Sequence, residues 1–209
     1  MYKNNDFQDL MKNRRSIRAY DENVKISHEE MLEMINEATT APSSVNMQPW
    51  RFVVADTAEA KAKLRPLVRF NTTQNDTSSA MIILFGDKNA FENGEKIYGT
   101  AVAKGLMPQE VKDKQLPALS AMFASAPESE LERTSLIDGG LVAMQFMLVA
   151  RAYGYDTNPI GGFERDEVAE AFDMDTKRYT PIMILSIGKA KDAGYPSYRL
   201  DATEITSFK

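Results

Sequence analysis

The segment Met81-Ile82-Ile83-Leu84-Phe85 is an unbroken apolar run of strand length. A strand with one wet face alternates apolar and polar residues, whereas a strand with no polar face must be covered on both sides. The chain must therefore build a sheet with material packed above and below it. Two further segments can join that sheet. Residues 51–55 are β-like and follow a Pro-Trp turn, and residues 181–188 form another strong strand.

The covering material reads as helical. Ser27 and Glu30 have the spacing of a capping box, and apolar residues follow at Met31, Met34, Ile35 and Ala38. That helix stops before Pro42. Further helices are expected over residues 5–13, from Thr57 to about residue 67, over 108–124 with Pro108 at the start and Pro117 inside, over 128–153 and over 164–173. Residues 88–106 show no clear pattern, 158–163 read as a Pro/Gly turn, and the last twenty residues read as extended or irregular. The order lacks strict strand–helix alternation, so the expected class is α+β, a sheet wrapped by helices. No repeat, low-complexity tract or linker divides the chain, and residues 1–209 read as one domain.

Residues 136–152 are rich in Leu, Val, Met and Phe, but Asp138, Arg151 and the pair Gly139-Gly140 interrupt them. This pattern fits a helix buried on nearly all faces better than a membrane span. The first residues are polar and lack the apolar core of a signal peptide. A net charge of -5 argues against a nucleic-acid partner. The absence of cysteine excludes disulfides, thiol nucleophiles and cysteine-ligated metals, and fits a cytoplasmic location. His28 is the only histidine and sits in a first helical turn, where it reads as a solvated side chain. There is no GxGxxG, no GxxxxGK[ST] and no GxSxG. No side-chain acid, base, nucleophile or metal ligand set stands out, so any redox or group-transfer chemistry must come from a cofactor.

Four segments could hold one. Arg14-Arg15-Ser16-Ile17-Arg18 places three guanidinia and a hydroxyl within five residues. Arginine forks suit a phosphate, although alone the segment reads equally as a solvated basic turn. Pro42-Ser43-Ser44-Val45-Asn46-Met47-Gln48-Pro49-Trp50 packs hydroxyls and amides between prolines, which suits a heterocycle that presents both donors and acceptors. Asn158-Pro159-Ile160-Gly161-Gly162-Phe163 lets backbone approach a flat ligand, or is a plain connection. Gly188-Lys189 with Ser197-Tyr198-Arg199 could complete a phosphate site, or is an exposed tail.

In this order and at this spacing the four segments resemble the nitroreductase family of flavoproteins over nearly the whole chain, with SSVNMQPW the most specific of them. The resemblance implies a mostly antiparallel sheet wrapped by helices and an intertwined homodimer whose two FMN sites are each built from both chains. It implies ping-pong hydride transfer from NADPH or NADH through FMN to a small acceptor such as a nitroaromatic or quinone. A flavin-binding protein without turnover would carry the same motifs. By position, Arg14, Arg15, Ser16 and Arg18 would meet the FMN phosphate and ribityl chain, and Arg199 the phosphate, with Ser197 and Lys189. Asn46 and Gln48 would contact the flavin edge, with Gln48 from the partner chain. Pro159, Ile160, Gly161 and Gly162 would lie along the isoalloxazine. Some members carry Glu in place of Gly161 and Lys in place of Ser197, so the phosphate here would lean more on arginines. Residues 88–133, with Phe91, Tyr98, Met122 and Phe123, are expected to shape the pocket.

Overall fold

The computed structural model describes residues 2–209. Strands β1 (Trp50–Ala55), β2 (Ala80–Asp87), β3 (Asp156–Ile160) and β4 (Tyr179–Gly188) form one sheet in the order β1-β2-β4-β3, with every pairing antiparallel. All eight residues of β2 are buried, as its unbroken apolar run requires. The alternation of side chains divides that run between two cores. Ile82 and Leu84 join Leu185, Ile187 and Phe146 on one face. Met81, Ile83 and Phe85 join Ile184, Leu64 and Phe163 on the other. Each of these large side chains contributes on the order of 2 kcal/mol by leaving water.

The first face is covered by α2 (His28–Ala38) and α7 (Glu128–Ala152), the second by α3 (Ala58–Leu64) and α8 (Arg165–Ala171). Ser27 caps α2 by accepting from the Glu30 N–H at 3.1 Å. The Glu30 carboxylate does not complete the box; it accepts from the Tyr155 hydroxyl at 2.6 Å. Helix α7 crosses the sheet closely enough to need glycine: a Cβ at Gly139 would stand 2.2 Å from Ile182 Cδ1.

Three expectations change. Residues 158–163 do not form one turn, because β3 runs through Ile160 and pairs with β4. Pro159 is tolerated there because β3 is one of the two outermost strands. Helix α7 is not buried on nearly all faces. It is long and apolar enough to cross a membrane by length and composition, and half of that apolar window is buried. Ile137, Leu141 and Met144, at helical spacing, remain 54%, 44% and 41% exposed. The closing segment contains a short helix, α9 (Ala202–Ile205), with a full Asp201–Glu204 capping box. The remaining helices are α1 (Phe7–Asn13), α4 (Thr72–Thr77), α5 (Gly94–Ala103) and α6 (Gln109–Ser125). Residues 88–106 thus resolve into a 3-10 turn and α5, and Pro117 lies inside α6.

Candidate functional site

The basic segment leaves α1 and runs alongside the sheet edge. Ser16 forms a parallel bridge with Thr157 of β3, and the Ile17 N–H donates to the Thr157 carbonyl at 3.2 Å. Tyr20 bridges Ala190, and its hydroxyl shares a 2.8 Å hydrogen bond with Ser186 Oγ. Ile17 and Tyr20 are buried, so the segment is pinned by its apolar residues, while Arg18 between them is exposed and Arg14 and Arg15 before them are half-buried. The chain beyond β4 folds back onto it: a Cβ at Gly194 (φ +68°) would stand 3.0 Å from Arg15 Cβ and Ile17 Cδ1.

This packing gathers like charges. Burial, and then the charges of Arg199, Arg15 and Arg151, hold the Arg14 guanidinium below its ordinary pKa. Its Nη1 atom is buried with no hydrogen-bond partner among the described residues. Arg151 is neutralised by Asp9 and Asp156, at 3.1 and 3.2 Å. Among the described residues, Arg14, Arg15 and Arg199 have no carboxylate partner within ion-pair distance. Arg15 donates to the Lys12 and Arg14 carbonyls at 2.8 and 3.0 Å, and Arg199 to Ser197 Oγ at 2.7 Å. A guanidinium buried among other guanidinia and left with a free donor is the signature of an anion site. Lys189 points elsewhere: its ammonium donates to the Gly154 carbonyl at 2.9 Å.

Next to the arginines lies a cleft of about 470 Å³ that collects Arg18, Pro159, Ile160, Gly161 and Gly162. A Cβ on Gly161 would meet nothing within 4 Å, and one on Gly162 would meet only Asn71 Nδ2 at 3.9 Å. The glycines therefore offer bare backbone to open space. Phe70, Asn71 and Gln74, which the sequence patterns did not single out, also line it. Asn71 Nδ2 donates to the Gly162 carbonyl at 3.3 Å, and Gln74 Nε2 to Asn71 Oδ1 at 3.0 Å. The available signal was the polar tract Asn71-Thr72-Thr73-Gln74-Asn75, an amide cluster of the kind noted around Asn46.

Asn46 and Gln48 lie elsewhere. Their loop enters β1, and β1 and β3 are the two outermost strands. Three strand spacings, about 14 Å, separate those edges. The loop lines a different cleft, of about 570 Å³. Val45, Asn46 and Gln48 have φ of 45°, 57° and 50°, in the left-handed region that a β-branched residue rarely enters. Such residues cost about 1–3 kcal/mol each and persist only where the surroundings impose them. Here Asp138 of α7 does so, its carboxylate accepting from the Ser44 N–H at 3.0 Å and from Ser44 Oγ at 3.1 Å. Burial raises the Asp138 pKa, and the Ser44 bonds oppose that rise. Ser43 Oγ accepts from the Gln48 N–H at 3.1 Å, and the Tyr98 hydroxyl donates to the Val45 carbonyl at 3.2 Å. Tyr98 is thus a buried support for the loop. Phe91 and Phe123 stack on each other at 5.9 Å, and Met122 is exposed.

Residues 11–189 match the sequence pattern of the "Nitroreductase family". The chain is 59% identical over 209 residues, all of both proteins, to "Putative NAD(P)H nitroreductase YdgI" of Bacillus subtilis (strain 168). It is 39% identical over 206 residues, 98% of this chain and 95% of the relative, to the "CLA biosynthesis enone reductase" of Lactiplantibacillus plantarum. The crystal structure of "a putative nitroreductase in complex with FMN" from Exiguobacterium sibiricum 255-15 superposes with a TM-score of 0.97 at 60% identity, covering 100% of each chain.

Proposed function

The chain belongs to the nitroreductase family, and from that premise we propose that it is an FMN-dependent, NAD(P)H-consuming oxidoreductase that works as a homodimer. The buried, unpartnered Nη1 of Arg14, set among Arg15 and Arg199 without a facing carboxylate, carries this reading. The residues present fit FMN. The arginines form a phosphate site, and the bare backbone of Gly161 and Gly162 opens onto a cleft walled by amides. The chemistry that FMN supplies when bound is hydride transfer from NADPH or NADH to the acceptor, in a ping-pong cycle.

In this reading Arg14, Arg15 and Arg199 hold the phosphate, with Ser16 and Ser197 as hydroxyl partners and Arg18 toward the ribityl chain. Lys189 contributes long-range charge. Pro159, Ile160, Gly161 and Gly162 support the ring, and the amides of Asn71 and Gln74 in the same cleft supply donors. Asn46 and Gln48 reach the same ring from a second subunit. Two observations support that division: the loop leads into β1 while the glycines follow β3, at opposite edges of the sheet, and Ile137, Leu141 and Met144 leave an apolar stripe on α7 for a second copy. The acceptor is an electrophilic small molecule, a nitroaromatic, a quinone or an activated alkene. The enone reductase among the relatives supports the last of these. The lack of cysteine and the net charge fit a cytoplasmic enzyme with no membrane or nucleic-acid partner.

The test is the visible spectrum of the purified protein, followed by anaerobic addition of NADPH or NADH. Flavin bands that bleach, and a nitro or quinone acceptor that restores them, are the expected result. Bands that fail to bleach with either donor would turn the reading toward flavin storage. A colourless protein that takes up no added FMN would overturn it.

A further inference from the structure

The cleft beside Asn46 and Gln48 has a charge pattern that flavin binding does not explain. Its wall is one face of α5 and its C-cap, where Lys96, Thr100 and the capping Lys104 follow at intervals of four residues. That spacing puts the two lysines about 12 Å apart along the helix. Ile97 and Ala101 run between them, and Trp50 and Leu106 add apolar surface. Arg51 also lines the cleft, although its Nη2 is bound to Asp87 at 2.8 Å. Among the described residues no carboxylate lines it. The nearby acids are engaged away from it: Glu95 pairs with Lys112 of α6, and Glu92 with Arg178 at 3.0 Å. Among the described residues, neither Lys96 nor Lys104 has a carboxylate within ion-pair distance. Lys96 also lies in the first turn of α5, where the helix dipole disfavours a cation. Helix stability therefore does not account for its presence.

Two unpaired ammonium groups flanking an apolar strip suit an anionic group attached to a flat or apolar body. We propose that this cleft binds the anionic moiety, a carboxylate or a phosphate, of a substrate of the enzyme. The inference rests on the flavin reading, because the Asn46–Gln48 loop that lines this cleft is proposed to reach the flavin ring of a second subunit. One chemistry could come from two sources, a carboxylate on the acceptor or the phosphates of the nicotinamide donor.

The experiment uses the FMN-loaded enzyme and the double variant Lys96→Glu/Lys104→Glu, both positions being exposed. Steady-state kinetics compare para-nitrobenzoate with its neutral counterpart para-nitrobenzamide, and NADPH with the phosphate-free N-benzyl dihydronicotinamide. The KM for the anionic member of one pair is expected to rise about ten-fold at low salt, with kcat retained and its neutral counterpart unaffected, an effect of the size of two partly exposed ion pairs. A rise confined to para-nitrobenzoate identifies the acceptor carboxylate, and one confined to NADPH identifies the donor phosphates. Equal KM values for wild type and variant in both pairs overturn the proposal. Equilibrium dialysis of para-nitrobenzoate and of NADPH against both proteins needs no turnover. It separates failure of this site from failure of the flavin reading: if the protein holds no FMN, loss of anion binding in the variant still supports the cleft, and unchanged binding, or none to wild type, overturns it.

Discussion

Two arginine clusters stand at opposite ends of β4, and they are built on opposite principles. At the Tyr179 end, Asp87 is fully buried and saturated. Its Oδ1 accepts from Arg178 Nε at 2.9 Å and from the Asn89 N–H at 2.9 Å, and its Oδ2 from Arg51 Nη2 at 2.8 Å and Arg178 Nη2 at 3.0 Å. Glu92 adds a second carboxylate to Arg178, and the bond to Asp87 raises the Arg178 pKa. At the Gly188 end, Arg14, Arg15 and Arg199 crowd together with no acid facing them, and the Arg14 pKa falls. A balanced cluster is complete and braces the fold. An unbalanced one destabilises the empty protein and gains when an anion arrives. Composition cannot distinguish them, since both are arginines near a strand end; the acceptor inventory does.

The largest effect should come from breaking the balanced cluster. Asp87→Ala leaves Arg51 partly buried without its carboxylate and Arg178 with Glu92 alone, which should cost about 3 kcal/mol of stability. Denaturant unfolding measures it. The FMN affinity of the folded fraction should stay within a factor of about two, since surface-distant changes rarely couple. A variant as stable as wild type would remove the brace from the comparison.

Arg14→Ala should invert that pattern. Losing charge-assisted bonds to a phosphate should weaken FMN binding by about 2–3 kcal/mol, roughly 30- to 150-fold. Stability without FMN should hold or rise, because a desolvated guanidinium leaves a like-charged neighbourhood. Fluorescence titration with FMN and unfolding of the stripped protein read the two quantities separately. Loss of stability with unchanged FMN affinity would make Arg14 a structural residue.

Asp138 sharpens the rule with a third case, a buried carboxylate held by neutral donors only. Burial raises its folded pKa above the unfolded value of about 3.9. Folding therefore favours the protonated form. The stability it contributes is fully present below the unfolded value and declines as pH rises through the raised folded one. Asp138→Asn should remove that decline, while the altered bonding to Ser44 costs about 1 kcal/mol. Unfolding of both proteins across the acid range checks the sign, and a wild-type advantage that grows with pH would contradict it.

The fold was largely readable because it follows from patterning. The unbroken run 81–85 demanded two covered faces, and β2 has them. The α2 cap and the long α7 were legible for the same local reasons. What escaped depended on distant pairing. Residues 158–160 carry Pro and no apolar alternation, yet β4 recruits them as an edge strand. The exposed stripe of α7 was hidden because an apolar residue reads alike whether sheet or partner covers it. Within the site, the residues named on the β3 side converge on one edge, whereas Asn46 and Gln48 stand at the other. Asn71 and Gln74 were missed because α4 is brought to the glycines only by tertiary packing.

The smallest expected effect tests the unbalanced cluster from within. Lys189 belongs to it by sequence position, but its exposed ammonium donates to the Gly154 carbonyl. It can act on an anion at the arginines only through solvent, where its attraction is screened beyond about 8 Å at physiological salt. Lys189→Ala should therefore weaken FMN binding by no more than about 0.5 kcal/mol, roughly two-fold. That loss should vanish at high salt, whereas the Arg14→Ala loss should persist because a half-buried guanidinium in direct contact is poorly screened. The two variants titrated with FMN at low and high salt decide it. A Lys189 loss as large and as salt-resistant as that of Arg14 would mean that the ammonium leaves Gly154 to bind the phosphate directly, and the cluster would then be four cations strong.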